Sequence, residues 1–195
     1  MPTVTALRGE RPGRIAVELD GAPWRVVPID VAARVGLTEG RALDRTALRL
    51  LRRELRRAEA LTVAADALRR RDLPARRLAE RLERAAVAPA AAEESLEVLA
   101  RAGLLDDARF ARARAQALAE RGHGDAAIRH DLEQQGVAGE PVEAALEDLE
   151  PELVRARRLV ERRGPGAKTA RYLVSKGFAP EAVEHSLGAD FANDP

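Results

Sequence analysis

Two hydrophobic periods divide the chain. Over the first part, Ile15, Val17 and Leu19 recur at every second position, Asp20-Gly21 supplies a turn dipeptide, and Trp24, Val26 and Val27 follow. A period of two turns one side of an extended chain toward a core and predicts a β-hairpin, with Pro23 confined to the start or edge of its second strand. A short helix over about 29–35, ended by Gly36, and a strand or loop over 37–43 complete an N-terminal extension spanning 1–43. That extension is too short to bury a sizeable core alone.

From Asp44, a good N-cap residue, the period becomes helical. Leu48, Leu51, Leu55 and Ala58 follow at spacings of three, four and three, so residues 44–57 form the start of a leading helix. Helical segments then continue to the end, broken at Pro74, Pro89, Gly103, Gly122-His123-Gly124, Gly136 to Gly139, Pro151, Gly164-Pro165-Gly166 and Gly177 to Pro180.

These segments repeat. Leu68, Leu118 and Leu159 each precede a Leu by fourteen residues (Leu82, Leu132, Leu173), and each of those precedes another by fourteen (Leu96, Leu146, Leu187). In the same register stand Ala65, Ala115 and Ala156; Arg71, Arg121 and Arg162; Val87, Val137 and Phe178. Ala86, Gly136 and Gly177 fall where a helix must end in the left-handed conformation that glycine favours. The copies lie 50 and 91 residues after the first, without internal gaps. Three units follow: 58–104, with helices at about 58–71, 74–85 and 89–101; 105–150, with helices at 106–121, 124–135 and 139–150; and 151–188, with helices at 152–163, 165–176 and 180–188. Residues 189–195 are a tail. A helix of about 12 residues is only ~18 Å long, so such units share apolar faces by stacking. The expected fold is mainly α: an elongated, right- or left-curved array of three tandem three-helix repeats behind a small extension containing a β-hairpin.

Composition narrows the chemistry. Among 195 residues there is no Cys, which excludes a disulfide framework, a thiolate zinc site and a Cys nucleophile, and His123, His130 and His185 stand isolated. No cofactor and no metal are expected. The apolar runs fall short of the ~20 residues that span a bilayer, and no signal peptide precedes the first charges, so the expectation is a soluble cytoplasmic chain with no membrane role. Gly164-Pro-Gly-Ala-Lys168-Thr169 imitates a phosphate loop but has Ala167 where the Gly before the Lys is required, and it follows a helix where the motif follows a strand. It reads as a helix–helix turn. Nothing else forms a catalytic constellation, so the chain reads as a non-enzyme.

Charge is balanced overall, 33 Lys+Arg against 32 Asp+Glu, but strongly segregated. Residues 45–84 hold thirteen Arg against six acids, residues 131–152 hold eight acids and no base, and residues 153–177 hold eight bases against one acid. Such blocks give a surface distinct electrostatic faces. Cations concentrate around the first turn and second helix of each unit: Arg69, Arg70, Arg71, Arg76, Arg77, Arg81 and Arg84; Arg121 and Arg129; Arg162, Arg163, Lys168, Arg171 and Lys176. A row of this kind suits a phosphate backbone or an acidic groove on a protein. Tyr172 is the only aromatic among them, which disfavours base-by-base readout of a single strand. The repeated Arg at the end of each first helix also suits the helix C-terminal dipole.

Gly103-Leu-Leu-Asp-Asp-Ala-Arg-Phe-Ala111 resembles the signature of the RecX family, regulators of the RecA recombinase, in which a Leu-Asp-Asp-x-Arg-Phe-Ala segment opens the second of three tandem three-helix repeats. Gly124, Ile128, Leu132, Gly136 and Val137 are similar to that family's Gly-x-x-x-Ile-x-x-x-Leu-x-x-x-Gly-Ile pattern, and the likeness covers about 58–188. The chain departs from it at Ala85-Ala86-Val87, where a Lys-Gly-hydrophobic turn is common, and at Gln134-Gln135, where a basic residue usually precedes the Gly. The resemblance implies a modulator that lies in the groove of the RecA–single-stranded DNA filament and limits its extension, ATP hydrolysis, strand exchange and coprotease activity. The expected partners are RecA and that filament, with direct DNA contact as a further option, for a monomer. Within the motif, Asp106 or Asp107 is expected to cap a helix, Leu105 and Ala111 to belong to the fold, Phe110 to anchor the core and Arg109 to pair with an acid. Two other classes stay open: a sequence-independent DNA-binding protein with no recombinase partner, and a scaffold for another protein.

Overall fold

The structure, a computed structural model, describes residues 1–188; the tail over 189–195 lies outside the described residues. The fold is mainly α behind a small antiparallel sheet. The sheet has three strands, β1 (Val4–Arg11), β2 (Arg14–Leu19) and β3 (Ala22–Pro28), in the order β1-β2-β3. The hairpin expected from the sequence is β2–β3. Its Asp20-Gly21 turn has positive φ at both residues, 51° and 79°, which matches the right-handed twist of the strands it joins. Pro23 lies near the start of the edge strand β3, opposite Glu18 and beside a register shift between Val17 and Glu18, as expected for a residue without an N–H.

The extension is larger than a hairpin. Strand β1 carries no clean alternation and is exposed along most of its length; its place is set by pairing with β2 and by Val4, which is fully buried. The 37–43 segment returns alongside it: Val4 N–H donates to Arg41 O, Gly40 N–H to Val4 O, and Leu43 N–H to Pro2 O. Helix α1 (Ile29–Val35) ends at Gly36 with φ 70°. Helix α2 (Arg45–Leu68), capped by the Asp44 carboxylate at Ala47 N–H, runs unbroken for 24 residues. The separate leading helix over 44–57 and first repeat helix over 58–71 are therefore one element that ends at Leu68. No Gly or Pro interrupts 45–68. Its N-terminal half closes the sheet's core: Val4, Val17, Val27, Val31, Val35 and Leu43 pack with Ala47, Leu51 and Leu55.

Eight further helices follow among the described residues: α3 (Ala75–Arg84), α4 (Pro89–Arg101), α5 (Asp107–Glu120), α6 (Asp125–Gln135), α7 (Glu140–Glu147), α8 (Glu152–Arg163), α9 (Ala167–Ser175) and α10 (Pro180–Leu187). The residues group into two compact units. One holds 1–71 and 78–102, and the other holds 72–77 and 103 onward, so the first turn of α3 belongs to the second unit. In the first unit α2 packs on α4. In the second, α5 packs on α6 and α7, and α8 on α9 and α10. Leu82, Leu132 and Leu173, the central class of the repeat, are all fully buried. Ala65 breaks its class: it is exposed, whereas Ala115 and Ala156 are fully enclosed.

Candidate functional site

The second unit is assembled head to tail through its second helices. The turn after α6 is Gly136 (φ 92°) and the turn after α9 is Gly177 (φ 79°). Against Gly136 lies the Arg76 side chain, in the first turn of α3; a Cβ on the glycine would stand 2.7 Å from Arg76 Cβ. Against Gly177 lies Ala127, in the first turn of α6, 2.6 Å from where a Cβ would be. Both glycines therefore meet two demands, a left-handed backbone and close approach by the preceding repeat. The equivalent residue after α3, Ala86, has φ 55° and is exposed. Only the backbone demand operates there, which is why a side chain is tolerated at that departure from the family pattern.

Backbone bonds follow the same geometry. Gly124 N–H donates to Lys176 O at 2.9 Å and Ala126 N–H to Gly177 O, so the N-terminus of α6 meets the C-terminal carbonyls of α9 with opposed partial charges. An acid from the next repeat satisfies one more donor at each start. Asp107 Oδ1 accepts from Ala75 N–H at 2.8 Å, and Glu152 Oε1 accepts from Asp125 N–H at 2.7 Å. Glu152 also accepts from Ala179 N–H through its other oxygen. These two acids are not register equivalents, so internal repetition could not reveal them.

The Leu-Asp-Asp-Ala-Arg-Phe-Ala segment is accordingly a joint. Asp106 caps its own helix at Arg109 N–H, while Asp107 caps α3. The Arg109 guanidinium donates to Gly103 O at 2.9 Å and to Leu104 O, and pairs with Asp72 at 3.7 Å. Leu105 and Ala111 are buried. Phe110 is half-buried and packs on the rim of a core formed by Ala111, Ala115, Ile128, Leu132 and Val142, so the anchor is the small and branched residues and not the ring. Arg155 closes the next joint. Its buried guanidinium bonds Glu150 O, His123 O and the Asp125 carboxylate, with all three of its nitrogens used.

The cations named from sequence divide into engaged and free. In the first unit Arg69 pairs with Asp66, and Arg84 Nε donates to Glu80 O. Arg70 and Arg71 are exposed without a carboxylate partner among the described residues, and Arg81 is half-buried. In the second unit Arg76 packs on Gly136, and Arg77 donates to Gln134 O at 2.6 Å, so both help hold the α3–α6 junction. Arg129 is held by both oxygens of Glu143, which raises the guanidinium's pKa and lowers that of the carboxylate. Arg163 stacks over the Tyr172 ring at 3.8 Å, and Lys176 lies 5.8 Å from the same ring. Lys168 and Arg171 are exposed on α9. The register equivalents Arg121 and Arg162 line one cleft of about 310 Å³ together with Arg158 and Tyr172. Arg158 there pairs with Glu150 at 2.7 Å.

Two further features escaped the sequence reading. Arg114 grips Asp131 with two bonds of 2.8 Å; its hydrogen bonds hold the Asp131 carboxyl below the ordinary carboxylate range. His123 is pushed below the usual imidazole value, first by burial and then by the nearby charge of Lys176. Gly164, Pro165 and Gly166 form the turn between α8 and α9, Ala167 and Lys168 already open α9, and Thr169 Oγ1 donates to Gly164 O at 2.7 Å. Among the described residues no cluster of three or more acid or histidine side chains is arranged for a metal, and no helix is long and apolar enough to cross a membrane.

A sheet-bearing extension followed by three-helix repeats, with end-to-end capping inside the second unit, defines a modular helical-repeat protein. The family model for the second three-helix domain of RecX matches residues 106–146. "Regulatory protein RecX" of Halorhodospira halophila (strain DSM 244 / SL1) is 36% identical over 137 residues, 65% of this chain and 85% of that protein. That of Acidithiobacillus ferrooxidans (strain ATCC 53993 / BNL-5-31) is 30% identical over 149 residues, 71% of this chain and 97% of its own length. A solved "regulatory protein RecX" superposes with a TM-score of 0.80, covering 94% of this chain and 98% of that one at 21% identity, and so shares the fold. The chain belongs to the RecX family.

Proposed function

We propose that this protein regulates the RecA recombinase by binding in the groove of the RecA–single-stranded DNA filament. There it limits filament extension, and with it ATP hydrolysis, strand exchange and coprotease activity, without catalysis of its own. The carrying observation is the match of the family model to residues 106–146, the repeat whose first helix opens with Asp106-Asp107. The protein acts in the cytoplasm as a monomer, with no cofactor, in homologous recombination, DNA repair and the SOS response. Its three repeats, 58–104, 105–150 and 151–188, serve as successive contact modules behind the 1–43 extension.

The cations split by role. Arg70, Arg71, Arg81, Arg121, Lys168 and Arg171 make no ion pair among the described residues and are the contact residues. Arg69, Arg76, Arg77, Arg84, Arg129, Arg162, Arg163 and Lys176 each hold a neighbouring group and position the surface.

The test is RecA's DNA-dependent ATPase on preformed filaments with this protein added substoichiometrically. A fall in rate at concentrations where the protein barely binds bare DNA supports the reading. An unchanged rate refutes it, and binding to bare DNA would then favour a sequence-independent DNA-binding protein.

A further inference from the structure

Helix α2 carries a row of arginines that the repeat reading does not use. Arg45, Arg49, Arg52 and Arg56 are all exposed and follow spacings of four, three and four. At 3.6 residues per turn they fall within an arc of about 60° and span about 16 Å of helix axis. Buried Ala47, Leu51 and Leu55 lie on the other side. None of the four has an ion-pair partner among the described residues.

Stability does not account for this row. Like charges at i,i+3 and i,i+4 oppose helix formation, and Arg45 occupies the first turn, where the backbone dipole already disfavours cations. A merely solvated face would interleave acids four residues away. The single acid over 45–58 is Glu54, and it is turned inward to Arg34 at 2.9 Å and Arg57 at 3.8 Å. Elsewhere on α2 the helix does pair its charges: Arg53 with Glu94 at 3.2 Å, and Glu59 with Arg25 at 3.2 Å. Arg49, Arg52 and Arg56 themselves line an open groove of about 640 Å³, whose lining also includes Glu93, Glu94 and Glu97 of α4. Glu94 is held by Arg53 and Arg57 and Glu97 by Arg101, and none of the three acids forms an ion pair with the row among the described residues.

We propose that Arg45, Arg49, Arg52 and Arg56 form a sequence-independent site for the phosphate backbone of a nucleic acid, outside the three-helix repeats. The even axial steps, about 4.5–6 Å each, present one guanidinium after another to a line of phosphates, and no aromatic ring on that face reads bases. The site belongs to the chain's own surface and does not rest on the recombinase reading.

The experiment is fluorescence anisotropy of the full chain with a labelled oligo(dT), across a salt series. The row variant carries Arg45, Arg49, Arg52 and Arg56 to Gln. A charge-matched control carries Arg8, Arg11, Arg101 and Arg112 to Gln. For the row variant the site requires affinity to fall roughly tenfold or more at low salt, and the log–log salt slope to shrink by about 2.8, at ~0.7 per lost phosphate contact. The control must keep most of both. Thermal melting separates binding from folding, because relieving the repulsion raises or preserves the row variant's Tm. The proposal is overturned if wild type does not bind the oligonucleotide, if the row variant binds with unchanged slope, or if the control loses as much. A row variant that binds DNA normally but no longer slows RecA would assign the row to an acidic protein surface and equally overturn it.

Discussion

Gly124→Ala isolates the close approach that joins α6 to α9. Gly124 has φ −83° and ψ 169°, a backbone any residue adopts, so the substitution adds no torsional strain. The added Cβ would lie 2.3 Å from both Gly177 O and Phe178 N, two backbone atoms that cannot rotate away. Reaching van der Waals distance requires a separation of about 1 Å, which breaks the 2.9 Å bond from Gly124 N–H to Lys176 O and the 3.2 Å bond from Ala126 N–H to Gly177 O. Two hydrogen bonds at about 1 kcal/mol each, plus about 1–3 kcal/mol for overpacking, give a loss of about 3–5 kcal/mol. Loss of a glycine N-cap and the lower entropy of an unfolded Ala roughly cancel. The reference is Gly103→Ala, where φ is 68° and nothing lies within 4 Å of the new Cβ, so only the left-handed penalty of about 1–2 kcal/mol applies. Urea unfolding of both variants measures the difference. If Gly124→Ala costs no more than Gly103→Ala, the joint is not held by backbone contact.

Four other outcomes are expected. Ala86→Gly should stabilise by about 0.5–1 kcal/mol, since the residue already sits at φ 55° and is exposed; a neutral or destabilising result in thermal melts would contradict the assignment. Glu152→Ala removes the acceptor for two N–H groups, one at the start of α6 and one at the N-cap of α10, and should cost about 2–3 kcal/mol, with Glu152→Gln recovering part of it in the same assay. The Asp131 carboxyl titrates lower when folded than unfolded, so its contribution is present above the ordinary carboxylate pKa and is lost as pH falls through the folded value. Asp131→Asn should flatten that part of the acid-side stability profile; an unchanged profile would deny the pair a role. Arg70, Arg71 and Arg81 to Glu should weaken filament binding while circular dichroism stays unchanged, whereas Arg76 and Arg77 to Glu should also lower Tm, because those two hold the α3–α6 junction.

The sequence by itself determined what depends on near neighbours. The switch from a two-residue to a 3.6-residue period separates Ile15–Leu19 from Leu48–Ala58, Asp20-Gly21 dictates its own turn, and Gly136 and Gly177 mark helix ends that need positive φ. The Leu ladder through Leu82, Leu132 and Leu173 placed the second helices because burial at a fixed helical position leaves a repeating letter. Tertiary structure decided the rest. Strand β1 is mostly exposed and alternates poorly, so pairing with β2 and the burial of Val4 define it. Which arginine is engaged depends on partners far along the chain, as with Arg77 and Gln134, 57 residues apart, or Arg155 and Asp125, 30 apart. Asp106 and Asp107 are adjacent and chemically identical, yet one caps its own helix and the other a helix 32 residues away. A charge in sequence states its sign; only the packed chain settles whether that charge is already spent on a neighbour or still faces solvent.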